Sequence, residues 1–178
     1  MRKVKEQRDI RLEDGRVGVL SCVELPDGSY ETMLYTDDTR MDEVFVENSR
    51  TEDAALMAFK YALERYQVPE LTGKYKKLAE DLCKAIAFGA AHAGTDDGGT
   101  CNFDSPAVAL PRWNEKLVNA AAKAAGTSCF KWKCYGATRY VFSIPGVGQG
   151  YTRTKSAESA AQLLQSLGYD AHVYYQMD

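Results

Sequence analysis

His92, Asp96, Asp97, Cys101, Asn102 and Asp104 crowd into one irregular stretch, AHAGTDDGGTCNFDSPAVALPRW, and are residue types that ligate metals, attack carbonyls or move protons. A thiol, an imidazole and a carboxylate are the parts of nucleophilic catalysis: nucleophile, base and orienting group. Cys101 and His92 nevertheless sit nine residues apart on a glycine-rich loop, whereas such partners normally come from distant elements. A thiol enzyme is therefore the third-ranked reading. His92, Cys101, Cys129 and Cys134 offer one nitrogen and three sulfurs for tetrahedral zinc, but the intervening 8, 27 and 4 residues match no compact knuckle. Asp96, Asp97, Asn102 and Asp104 offer oxygen ligands without the alternate spacing and closing Glu of a calcium loop. Asp and Asn also satisfy the backbone of turns. The expectation is no metal and no cofactor, with Asp96, Asp97, Asn102 and Asp104 as a partner-binding loop.

A second set lies further on. In GVGQGYTRTKSAE three glycines precede Arg153 and Lys155 at the mouth of a helix, where free amides favour phosphate, with Thr154 or Ser156 as cap. The G-K-[ST] ending of a P-loop is missing. Just upstream, FKWKCYGATRY interleaves Lys131, Lys133 and Arg139 with aromatics, the combination that neutralises a nucleic-acid backbone and stacks on bases. Strand alternation puts Phe130, Trp132 and Cys134 on one face and Lys131, Lys133 and Tyr135 on the other. The aromatic face is expected in the core and the basic face in solvent. Lys131, Lys133, Arg139, Arg153 and Lys155 are the candidate nucleic-acid or nucleoprotein contacts.

Charge divides along the chain. Residues 1–66 carry 10 basic and 15 acidic side chains, whereas residues 111–178 carry 8 and 4, within a net charge of −3. Asp37, Asp38, Asp42, Glu43 and Glu47 concentrate the acidic side chains on a turn and strand, as candidate partner contacts. There is no apolar run long enough to span a bilayer and no apolar stretch behind the charged N-terminus, so a cytoplasmic protein is expected. The odd set of five cysteines without a C-x-x-C pair fits reduced thiols.

The elements that must position these residues follow from periodicity. RVGVLSCVEL alternates as a strand, PDGS turns it, and YETMLYT and DEVFVE supply two more. Ser49 and Glu52 stand at capping-box spacing before a helix with Ala55, Phe59, Ala62 and Tyr66 on one stripe. Thr72 caps a second helix at about 73–89. After the irregular stretch come a helix from Trp113 stopped by Gly126, an aromatic hairpin, a helix stopped by Gly168, and a last strand. The predicted class is α+β: a β-β-β-α unit at 16–66 within an acidic segment 1–69, a central helix and loop at 70–112, and a basic α-β-β-α-β unit at 113–178.

GGTCNFDSPA and GYDAHVYYQMD resemble segments of small proteins carried by phages and integrated elements of gut bacteria, some of which are anti-CRISPR inhibitors of type II RNA-guided nucleases. The resemblance covers residues 90–178. It implies binding to the effector nuclease or its nucleoprotein complex, without catalysis. The acidic side chains of the first segment would then stand in for DNA phosphates in the nuclease channel. A non-enzymatic nuclease inhibitor is the leading expectation and a nucleic-acid-binding accessory protein the alternative.

Overall fold

A computed structural model describes residues 2–36, 43–96 and 98–177 of the chain. The described residues form an α+β structure of four helices and eight strands in two antiparallel sheets, divided between two compact units, Met1–Val68 and Pro69–Asp178. The helix and loop expected as a separate middle segment belong to the second unit.

The first unit is a meander of four strands, β1 (Lys3–Arg11), β2 (Val17–Glu24), β3 (Tyr30–Tyr35) and β4 (Glu43–Ser49), followed by α1 (Glu52–Tyr66). The expected three strands become four because β1, KVKEQRDIR, is a charged edge whose only buried residue is Ile10. Edge strands carry charge to resist further pairing, which hides them from a search for apolar alternation. The β2–β3 turn forms as read, with Gly28 at φ 82° and its N–H on Leu25 O at 3.0 Å. Ile10, Leu20 and Leu34 from the sheet pack against Ala55, Phe59 and Ala62 of α1. Thr32 Oγ1 donates to Ala55 O at 3.1 Å on the same face. The capping box is corrected: Ser49 ends β4, and the cap is Thr51, whose Oγ1 accepts Ala54 N at 3.3 Å.

The second unit runs α2 (Gly73–His92), β5 (Ser105–Val108), α3 (Glu115–Ala124), β6 (Cys129–Cys134), β7 (Ala137–Phe142), α4 (Gly150–Ser166) and β8 (Ala171–Tyr174). Its sheet order is β6-β7-β5-β8, so β5 to β8 with α3 and α4 make a split βαβ arrangement. β5 was unread because it is four residues long, contains Pro106 and is buried at every position, so it shows no alternation. Leu82 and Ala85 of α2, Val118 and Ala121 of α3, and Ala160 and Leu164 of α4 share one core with Val108, Tyr140, Phe142 and Val173. All three helices therefore lie on one face of the sheet. α4 starts at Gly150 with Gln149 as cap, not at Thr154 or Ser156, because the glycine-rich segment is shorter than expected and Thr152, Arg153 and Thr154 already lie in the helix.

One buried charge ties α2 to the approach to β8. Asp81 is 3% exposed, accepts the Tyr169 hydroxyl at 2.8 Å and is paired with Lys77. Burial pushes the Asp81 carboxyl up, but the hydrogen bonds from Lys77 and Tyr169 outweigh it and hold it below the usual carboxylate value. A carboxyl depressed by folding stabilises the fold above its unfolded value of about 3.9, and that contribution is lost as pH falls through the lower folded value. Asp81→Asn is expected to cost about 2 kcal/mol at pH 6. The gap in urea midpoint between variant and wild type should narrow toward pH 3, and a gap independent of pH would contradict this assignment.

Candidate nucleic-acid interface

β6, an edge strand, brings Phe130 opposite Val141 and Trp132 opposite Arg139. Val141 pairs in turn with Ala107, Ala107 with His172, and Ser105 with Tyr174. Residues directly opposite share a face, so Phe130, Trp132, Val141, Ala107, His172 and Tyr174 lie together. The alternate row, Tyr140, Phe142, Val108, Ala171 and Val173, belongs to the core with the helices. The aromatic row therefore occupies the helix-free face, which corrects the expectation that it is core.

Phe130 and Trp132 are 47% and 51% exposed. They come from one edge strand and Tyr174 from the other, yet the Phe130 and Tyr174 ring centroids are 6.3 Å apart at 84°, and those of Trp132 and Tyr174 6.1 Å apart. The rings thus lean inward over the short side chains between them. That accounts for the burial of Val141 at 1% and Ala107 at 0% on a face that no helix covers. Phe103, 50% exposed, donates its N–H to Gln176 O at 2.8 Å and extends the row by one position.

Beside the rings is a fixed polar corner. Arg139 is 4% exposed and donates to Asp170 O at 2.7 Å and to the Asp170 carboxylate at 3.1 Å. The Arg139 guanidinium, helped by His172 at 3.2 Å, holds the Asp170 carboxyl below its usual value. Tyr135 turns the β6–β7 hairpin at φ 49° with Gly136 at φ 73°, and its hydroxyl donates to Val173 O at 2.8 Å. Gln165 Nε2 donates to Ala171 O at 2.6 Å. Since Asp170 and Gln176 carbonyls bond inward to Ala109 and Phe103, the carbonyls of Ala171 and Val173 point outward. Tyr135 and Gln165 thus occupy the outer carbonyls of β8 and close that edge to another strand.

The expected cations do not converge. Lys131 and Lys133 are exposed on β6, and the Lys131 ammonium reaches Glu115 of α3 at 2.6 Å. Arg153 and Lys155 lie on α4, which packs on β5 and β8 across the sheet from β6. Arg139 is committed to Asp170. Lys131 and Lys133 remain from a set of five, on the aromatic edge strand but pointing to its helix side, opposite the rings.

The irregular stretch is held by its own polar side chains. Asp104, 4% exposed, accepts Asn102 Nδ2 at 2.8 Å, Thr154 Oγ1 at 2.7 Å and Gln176 N at 2.9 Å. Asp96 accepts Gly98 N at 2.9 Å on its carboxylate and Thr152 Oγ1 at 2.8 Å on its carbonyl. Asn102 and Asp104 thus come together, and the loop is fastened to the first turns of α4. Asp97 lies outside the described residues, as do Asp37, Asp38 and Asp42 of the acidic set; Glu43 and Glu47 are exposed on β4.

The thiols are placed apart from this chemistry. His92 Nδ1 bonds Phe88 O at 2.8 Å and its ring stacks on Phe88 at 4.0 Å. Cys129 Sγ donates to Asn119 Oδ1 at 3.2 Å, and the Cys134 side chain lies outside the described atoms. No cluster of three His, Cys, Asp or Glu side chains able to hold a metal occurs among the described residues. Burial, with Glu115 adding to it, pushes the Cys129 thiol up to about 11. Because the thiolate is the reactive form, iodoacetamide at pH 8 should label the exposed Cys83 and Cys101 and leave Cys129 unmodified until the protein is unfolded. Mass spectrometry of the digested product checks this, and equal labelling of Cys129 in the native state would contradict its burial.

No helix among the described residues is long and apolar enough to cross a membrane. Comparison with protein-family models, with curated proteins and with solved structures finds no match for this chain.

Proposed function

We propose that the protein is a non-enzymatic binding protein whose second unit holds single-stranded nucleic acid on the helix-free face of its sheet. The observation that carries this reading is the row of rings on the helix-free face, Phe130 and Trp132 half-exposed and Tyr174 partly buried against them, with Lys131 and Lys133 on the other side of the same edge strand. Unpaired bases present flat apolar surfaces, and each base stacked on an aromatic side chain contributes about 1–3 kcal/mol. Bases inside a duplex present no free face, so single strands are preferred.

Charge sets the salt dependence. Lys131 and Lys133 point to the helix side of the edge strand and Lys131 is paired with Glu115, so at most about two phosphates are neutralised where a strand passes over that edge, which limits the slope of log affinity on log salt to about −1.4 for a single strand. Stacking, not counterion release, supplies most of the affinity.

Fluorescence anisotropy with labelled 12-nucleotide DNA and RNA strands, and with the matching duplexes, tests this. Single strands should bind, duplexes should not, and raising NaCl from 50 to 200 mM should weaken binding by at most about sevenfold. No binding of either single strand at 50 mM NaCl would overturn the reading. A plasmid-cleavage assay with a guide-loaded RNA-guided nuclease addresses the inhibitor expectation with the same protein. Inhibition that persists in Phe130→Ala/Trp132→Ala, without nucleic-acid binding, would transfer the function to the acidic edge with Glu43 and Glu47.

A further inference from the structure

A second recognition site is built where the loop, the first turns of α4 and the segment after β8 meet. A cleft of about 380 Å³ has Asn102, Asp104 and Thr154 at its polar end and Tyr151, Tyr175 and Met177 along its sides. Tyr151 and Tyr175 are 57% and 55% exposed, so their rings are open to a ligand. Tyr151 is held in place from behind. Its N–H donates to Gly98 O at 2.9 Å, and a Cβ on Gly99 would lie 3.6 Å from its ring, so the glycines form a close backing for the phenol.

The polar end is rich in acceptors and short of donors. Asp104 is buried and met by neutral donors alone among the described residues: the Asn102 amide, the Thr154 hydroxyl and the Gln176 N–H. Asn102 Nδ2 is shared among Asp104 Oδ2, Thr154 Oγ1 at 2.8 Å and Gly150 O at 3.2 Å, which fixes the orientation of the amide. Its other end, Oδ1, is buried in a side chain 7% exposed and has no hydrogen-bond partner among the described residues. A buried acceptor left without a donor is costly, and a native fold keeps one where something else satisfies it. Among the described residues no Lys or Arg side chain lines the cleft.

Exposed aromatic walls beside a buried carboxylate that no Lys or Arg of the described residues meets favour one chemistry: a cation on an apolar stem. We propose that this cleft binds an alkylammonium group, the end of a lysine side chain or of a free amine, with the cation against the faces of Tyr151 and Tyr175 and near the buried Asp104 carboxylate. Rings stabilise a cation through their negative faces, and the stem packs on Met177. An anion is disfavoured by the Asp104 carboxylate. The site is independent of the sheet face.

The test is an NMR titration of the full chain with n-butylammonium chloride, followed at the Asn102 side-chain amide and the backbone amides of Gly98, Gly99 and Tyr151. Saturable shifts at these groups are expected, with n-butanol and NaCl at equal ionic strength producing none that saturate. Tyr151→Ala and Tyr175→Ala should each weaken the affinity about fivefold. N-acetyl-lysine methylamide and spermidine distinguish the two sources: tighter binding of the first marks a peptide side chain, tighter binding of the second a free polyamine. Equal binding of n-butanol, or shifts reproduced by NaCl, would overturn the proposal. Should either variant fail to fold, the butylammonium and butanol comparison in the wild type still decides it.

Discussion

Replacing Phe130 and Trp132 by alanine together is expected to weaken single-strand binding about a hundredfold, an effect of about 3 kcal/mol spread over two stacked bases. Each ring is half in solvent, but its covered half shields Val141 and Ala107, so the double variant should also lose about 2 kcal/mol of folding stability. The loss of affinity is read by anisotropy with the variant shown to be folded by circular dichroism, so the effect on binding is separate from that on stability. Lys131→Ala and Lys133→Ala should act differently, lowering the affinity modestly and flattening its salt slope. If the double aromatic variant binds as wild type does, the rings are not the contact.

Gly89→Ala is expected to destabilise the second unit by about 2 kcal/mol, against the usual gain of about 1 kcal/mol when glycine in a helix becomes alanine. The reason is the crossing of α2 and α4. A Cβ on Gly89 would stand 2.6 Å from Ser156 O, 2.9 Å from Ser156 Oγ and 3.2 Å from Ala160 Cβ. The first of these is helix backbone and yields only if α4 moves. Ala157, Ala160 and Ala161 continue the small-residue face of α4, all buried, so the close approach extends along the helix. Thermal unfolding followed by circular dichroism should show a Tm lower by about 8 °C. A rise in Tm would mean that the two helices are not in contact at this position.

Periodicity made the helices and most strands of this chain legible, and the misses have local causes. β1 was hidden by its charge and β5 by its shortness and burial on both faces. The alternation of FKWKCYG correctly separated Phe130 and Trp132 from Lys131 and Lys133, but hydrophobicity assigned the wrong row to the core. β6 is an edge strand, and its helix-side positions lie at the rim, where the Lys131 ammonium lies 5.4 Å from the Tyr140 ring centre and reaches Glu115. The aromatic rings, by contrast, close over Val141 and Ala107 on the other side. No spacing rule reveals which side of an edge strand the helices cover; that depends on the β6-β7-β5-β8 order.

The candidate loop was half legible. Asn102 and Asp104 stood out as polar residues in an irregular stretch, and the structure places them together. Their partners Thr154 and Gln176 are 50 or more residues away, brought in by α4 and the segment after β8. Tyr174, which completes the aromatic face, and Tyr151 and Tyr175, which wall the cleft, carry no local signal beyond their ring. Strand pairing, not sequence spacing, assembles them.

The claim that the helix-free face stacks on unpaired bases is tested most directly by the emission of Trp132 itself. The chain has two tryptophans, and Trp113 is partly buried against the core beside Tyr75. In Trp113→Phe, Trp132 is the sole tryptophan reporter on that face. Titration with a 12-nucleotide single strand should quench its fluorescence to a plateau, at a midpoint matching the anisotropy measured in parallel. Binding by anisotropy with Trp132 emission unchanged would place the nucleic acid elsewhere on the protein and contradict the account.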